Sequence, residues 1–188
     1  MIAFLDMDGV LANWVGGIHK LLNIPFSVDK WPYKTGREGW HFHNEIGLSF
    51  EQIDGVCDYD LWTNLDWTPD GRDIYSYTCL VFGRHNIRLL TAPMPNVMSA
   101  SGKVAWVQKN IPELSKQLII STAPKSMFAR VPDSVLIDDS SDNVDAWRAA
   151  GGRAILVPRP WNDDCARADR ASGVVFSRML YNKKGGDQ

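Results

Sequence analysis

Two carboxylates stand two residues apart in Asp6-Met7-Asp8-Gly9-Val10. Such a pair suits phosphoryl transfer. One carboxylate can attack phosphorus and form an aspartyl-phosphate. The other can protonate the leaving oxygen and then take a proton from the attacking water. Gly9 lets the chain turn sharply, so that both face one substrate. A solvated acidic turn has the same spelling, so the pair needs partners, and three sites further along offer them. The Thr91 hydroxyl, in Leu89-Leu90-Thr91-Ala92-Pro93, can donate to a phosphate oxygen together with nearby backbone N–H groups, that of Ala92 included; otherwise it caps a turn before Pro93. Lys125, in Ser121-Thr122-Ala123-Pro124-Lys125, can neutralise charge on a phosphate and its attacker, or is an ordinary surface lysine. Asp138 and Asp139 follow Val135-Leu136-Ile137. Adjacent carboxylates repel unless a cation is present, and Mg²⁺ prefers hard oxygen ligands. One of the two, with Asp6 and a backbone carbonyl, makes a metal site. The competing role is an acidic helix cap, which Asp142 or Ser141 could fill instead.

Each of these sites follows an apolar run. Ile2 to Leu5, Ile87 to Leu90, Leu118 to Ile120, Val135 to Ile137 and Ala154 to Val157 read as strands buried on both faces of a parallel sheet. Helical patterns lie between them. Residues 101–110 start at a Ser cap and place Val104, Val107 and Ile111 on one face. Residues 142–150 start at Asp142 and stop at Gly151-Gly152. Alternating strand and helix predicts an α/β fold with a central parallel sheet. In such a sheet the loops at the carboxyl ends of the strands share one rim, where ligands bind. Residues 15–72, with Pro25, Pro32, Pro69 and many aromatics, break the rhythm. They are expected to form a mainly helical cap inserted after the first strand, with 1–14 and 73–188 as the core and a returning helix from Asp73 to Phe82. The last eight residues read as a frayed tail.

The formal net charge of -2 leaves no basic surplus for a nucleic-acid backbone. Three cysteines at wide spacing, none in a CxxC pair, indicate neither zinc nor a disulfide framework and favour a reducing compartment. The first residues lack the basic n-region of a signal peptide, and no apolar stretch approaches the ~20 residues of a membrane helix. A cytoplasmic protein is expected. Eight tryptophans are many for 188 residues; they belong to the core or stack on a flat ligand.

The ordered set DMDGV, LLTAP, Lys125 and LIDD resembles the haloacid dehalogenase (HAD) superfamily. DMDGVLA, the Thr-x-Pro, KVAWVQKN and PWN are similar to the 5′(3′)-deoxyribonucleotidases. The resemblance covers residues 1–14 and 87–162 and is weak across the insertion. It implies a Rossmann-like core with Asp6 as nucleophile, Asp8 as acid/base, and Thr91 and Lys125 holding the phosphate. It also implies Mg²⁺ on the Asp6 carboxylate, the Asp8 main-chain carbonyl and the last acid pair, with Asp139 favoured over Asp138. Trp14 stands where relatives place an aromatic against the base, where stacking is worth about 1–3 kcal/mol; its other reading is a fastener between cap and core. The TRDK-like context of the family lysine is STAPK here. An assisting arginine is absent, and Lys103 is its substitute unless it lies on the solvent face of its helix.

A lid over the rim admits a small phosphate ester and obstructs a polymer. The expected partner is a small nucleotide, with no polymeric nucleic acid and no membrane; a homodimer is allowed. Trp31, Tyr33, Trp40, His41, Phe42 and His43 suit the lid to a base or sugar, or form its mini-core; a metal on His41 and His43 is disfavoured. The alternatives are a phosphatase for another small ester or a nucleic-acid 3′ end, which DD-x₆-AWR brings to mind, a phospho-accepting receiver, and a degenerate binding module.

Overall fold

The computed structural model describes residues 1–27 and 30–184. Five parallel strands form one sheet: β1 (Ile2–Leu5), β2 (Ile87–Thr91), β3 (Leu118–Ile120), β4 (Ser134–Asp138) and β5 (Arg153–Leu156). Their order is β3-β2-β1-β4-β5. The central β1 sets Leu5 beside Leu89 on one side and Ile137 on the other. Both faces are covered, so Ala3, Leu5, Leu89, Val135 and Ile137 are all fully buried, as continuous apolar strands require. Strand order reverses on either side of β1, and the crevice beyond its carboxyl end is where an open α/β sheet binds ligands.

The core helices are α5 (Gly71–Phe82), α6 (Val97–Asn110), α7 (Ser141–Ala149) and α8 (Ala171–Lys184). Five details differ from expectation. Helix α5 begins two residues before Asp73. Helix α6 begins before Ser101, because Asn96 is its cap and accepts from the Met98 amide at 3.0 Å. Its buried residues are Ser99, Gly102, Lys103, Trp106 and Val107, while Val104 is exposed. Helix α7 is capped by Ser140 and not by Asp142. Of the expected frayed tail, Tyr181 to Lys184 continue α8; residues 185–188 lie outside the described residues.

Between β1 and α5 the chain forms α1 (Trp14–Leu21), a 3₁₀ turn at Gly36–His41, α2 (Phe42–Glu45), α3 (Phe50–Val56) and α4 (Tyr59–Thr63). Short helices need tertiary support, and aromatic rings provide it. His19 lies stacked between Phe26 and Phe42, at 4.1 and 5.4 Å, and its Nε2 is 2.5 Å from the Tyr33 hydroxyl. Trp31 and Tyr33 pack edge to face at 5.2 Å. Side-chain ties join this insertion to the core. Asn96 donates to the carbonyls of Asp54 and Cys57, and Arg37 reaches Asp142, Asp145 and Asp163.

Candidate active site

The site starts from the turn after β1. Gly9 has φ +71°, and a Cβ there would sit 2.1 Å from Asp139 Oδ2, so only glycine fits. Arg159, buried and paired through both terminal nitrogens with Asp70, donates its Nε–H to the Gly9 carbonyl at 2.6 Å. This pins the turn that aims Asp6 and Asp8.

Asp6 is buried, with the Lys125 ammonium 2.6 Å from its Oδ1 and 2.7 Å from Asp138 Oδ2. Asp138 also accepts from the Ser140 amide at 2.8 Å and lies 3.3 Å from the Asn143 side-chain amide. Asp139 accepts from the Trp161 indole N–H at 2.7 Å. Burial pushes the Asp6 carboxyl up to about 7; Lys125 opposes the shift, and Asp138 and Asp8 add to it. Burial, then Asp138 and Asp6, raises the Asp139 carboxyl well above its ordinary range. Burial works against the Lys125 ammonium, yet Asp138 and Asp6 outweigh it and hold that ammonium above its usual value.

Carboxylate oxygens of Asp6, Asp138 and Asp139 lie within 4.8 Å of one another. Three buried carboxylates face one ammonium, which leaves a surplus of negative charge in a desolvated place. Hard oxygens with surplus charge fit a divalent cation such as Mg²⁺. Lys125 and Asn143 engage Asp138, which leaves Asp139 the less encumbered ligand of the pair.

Asp8 points the other way. Its Oδ2 pairs with Lys103, whose Nζ also donates to Thr91 Oγ1 at 2.9 Å and to the Ala92 carbonyl at 2.5 Å. Thr91 Oγ1 lies 3.4 Å from the same Asp8 oxygen. Lys103 is fully buried, with its ammonium 5.0 Å above the Trp62 ring. The solvent-face reading of Lys103 is therefore corrected: its charge is balanced by Asp8, so it can lie inward. Asp8 Oδ1 has no partner among the described residues.

These groups open on a cleft of about 490 Å³ beneath the insertion. Asp6, Asp8, Thr91, Ala92, Lys125 and Asp139 line its floor, and Trp14, Trp40, His41, Phe42, His43 and Trp62 its upper wall. Trp14 also packs edge to face on Phe42 at 5.8 Å, so it faces the cleft and fastens the insertion together. Trp31 and Tyr33 stay in the mini-core, away from the cleft wall. Lys103 does not line the cleft; it lies behind Asp8. The sequence reading missed Arg159, Asn143, Trp62 and Trp161. Only Trp161 carried a usable signal, the PWN after the last strand.

The family model for the 5′ nucleotidase, deoxy (Pyrimidine), cytosolic type C protein matches residues 1–176. No curated protein matches the chain. Among solved structures, one assigned by name as a phosphoglycolate phosphatase from Lactobacillus delbrueckii subsp. bulgaricus is 14% identical, with a TM-score of 0.54 over 95% of this chain and 97% of that one. A HAD hydrolase, family IA, variant 3, from Entamoeba histolytica is 11% identical, with a TM-score of 0.50 over 98% and 99%. These likenesses show the fold, a HAD-type α/β core. No described helix is long and apolar enough to cross a membrane. With its family model matched over nearly the whole length, the chain belongs to the family of 5′ nucleotidases, deoxy (Pyrimidine), cytosolic type C.

Proposed function

We propose that the protein is a Mg²⁺-dependent phosphatase that hydrolyses (deoxy)ribonucleoside monophosphates to nucleoside and phosphate through an aspartyl-phosphate on Asp6. One observation carries this reading: Asp6, Asp8, Thr91, Lys125 and Asp139 line one cleft from four separate strand ends. Asp6 attacks phosphorus while Asp8 delivers a proton to the leaving sugar oxygen. Asp8 then takes a proton from the water that cleaves the acyl-phosphate. Thr91, the Ala92 amide and Lys125 hold the phosphoryl oxygens. Lys103 sits behind Asp8 and steadies it. Asp6, Asp139, Asp138 and the Asp8 main-chain carbonyl would hold Mg²⁺, which offsets charge on the phosphate.

We take residues 15–72 as a cap on a core of 1–14 and 73–188. The aromatic wall above the carboxylates supports a base and sugar as leaving group, with Trp14 against the base. The same cover argues against a polymeric nucleic acid, and the family's cytosolic type supports a cytoplasmic location. A homodimer is the assembly we propose to test, by light scattering. The deciding experiment is a hydrolysis profile over all nucleoside monophosphates, with sugar phosphates and a 3′-phosphorylated oligonucleotide alongside, in Mg²⁺ and in chelator. Strong preference for nucleotides that chelator abolishes is expected. Equal turnover of sugar phosphates would shift the reading to another small ester.

A further inference from the structure

We infer that Trp161 is a positioning residue that holds Asp139 in its cation-binding orientation and makes that orientation depend on docking of the insertion. The inference rests on the Mg²⁺ reading of the carboxylate cluster. Of the clustered acids, Asp6 and Asp138 are fixed by Lys125, and Asp138 further by Ser140 and Asn143. Among the described residues, no basic side chain is in hydrogen-bond contact with Asp139. The one side-chain donor to its carboxylate among the described residues is the Trp161 indole, at 2.7 Å on Oδ2. Gly9 closes the other side of that same oxygen. Oδ2 thus meets the indole N–H and lies close against the Gly9 turn, and these two contacts restrict the rotation of the carboxylate. Asn162 completes the grip: its side-chain amide donates to the Asp139 and Val157 carbonyls, both at 2.8 Å. Partners that orient a metal-binding carboxylate typically set affinity by 10- to 100-fold.

The second half comes from what lies on the far side of the ring. Trp31 of the insertion packs on Trp161 with ring centroids 5.2 Å apart. Gly39 approaches so closely that a Cβ there would lie 3.1 Å from Trp161 Cα, and the Gly36 amide donates to the Pro160 carbonyl at 2.9 Å. The residue that orients Asp139 is therefore also the platform on which the insertion sits. Lifting the insertion frees one face of the indole, and the hydrogen bond to Asp139 loses its backing.

The test is calorimetric titration of the full chain with MgCl₂, with no nucleotide present. Trp161→Phe keeps the ring and removes the N–H; Mg²⁺ binding about 10-fold weaker or more is expected. Trp147→Phe, which changes a buried indole whose N–H has no partner in the structure, should bind as the parent does. Trp31→Leu should weaken Mg²⁺ severalfold without touching the site, and should add nothing in a Trp161→Phe background. Parent-like affinity in Trp161→Phe overturns the positioning role. Unchanged affinity in Trp31→Leu, or an effect fully additive with Trp161→Phe, overturns the coupling. Should Trp161→Phe fail to fold by circular dichroism, Trp31→Leu decides alone. A parent chain that binds no Mg²⁺ would instead sink the metal reading, which keeps the two failures apart.

Discussion

Lys103→Met is the perturbation that asks most of the structure. Lys103 is fully buried and pairs with Asp8, whose side chain is 26% exposed. Removing one partner of a buried pair costs about 3–5 kcal/mol, because the other charge is left uncompensated. Asp8 can recover water on its exposed side, so the lower end, about 3 kcal/mol, applies. Asp8→Asn takes the carboxylate from a fully buried ammonium but keeps an oxygen acceptor for it, and Thr91 and the Ala92 carbonyl still hold Lys103; about 2 kcal/mol is expected for losing the charge-assisted bond. Independent effects would total about 5 kcal/mol in the double variant. If Lys103 and Asp8 act as one unit, the double variant loses only about 2 kcal/mol, a coupling of about 3 kcal/mol. Urea unfolding at pH 7.5 without Mg²⁺ measures all four corners of the cycle. Turnover gives a second reading: groups acting as a unit are non-additive, so the double variant should be no slower than Asp8→Asn. Stabilities that add within about 0.5 kcal/mol would show that the pairing with Asp8 does not account for Lys103's burial.

Asp6→Asn should abolish nucleotide hydrolysis while leaving the near-UV circular dichroism unchanged; near-normal Mg²⁺-dependent turnover would remove Asp6 as nucleophile. Asp8→Asn should at best accumulate a phospho-enzyme slowly and release it poorly, visible by intact-mass measurement. With its carboxyl pushed by burial from the ordinary carboxylate range up to about 7, native Asp6 retains a proton that the unfolded chain has already released. Without Mg²⁺, stability should therefore fall as pH rises from about 4 to about 7. Mg²⁺ competes with that proton, so its increment in melting temperature should grow across the same window, and a pH-independent increment would refute the link. Arg37→Ala removes an exposed tie to Asp142, Asp145 and Asp163, so thermal stability should change little. The parent KM should rise with NaCl as the tie is screened, whereas the variant should start high and change little; parallel salt curves would rule out the tie as a closure element.

The rim of the site was legible because its signals are local. Asp6, Thr91, Lys125 and Asp138-Asp139 each follow an apolar run that a buried strand demands, and parallel strands must end on one rim. Lys103 was harder. Its partner is 95 positions away, and a lysine in a helix reads as solvated until the balancing charge is known. On the same helix Val107 is buried, and so is Ile111 just beyond it, as their spacing predicts, but Val104 is exposed and the side packed inward also carries Ser99, Gly102 and Trp106. Arg159 could not be seen at all, since it acts on the Gly9 carbonyl 150 positions earlier. The insertion was legible as aromatic and interrupted by prolines, but composition cannot sort rings that face the cleft, such as Trp40, from those that fill the mini-core, such as Tyr33.

The sheet order also dictates when the site can come into being. Ala3 in the central strand lies beside Ile87 on one side and Val135 on the other. The strand that carries the nucleophile precedes both of its neighbours in the chain and is enclosed only when β4 arrives, after loop closures spanning most of the described chain. Contacts so distant in sequence slow folding. Until β4 arrives, Asp6 has neither Asp138 nor Asp139 beside it, and a nascent chain carrying the whole DMDGV turn should be chemically silent.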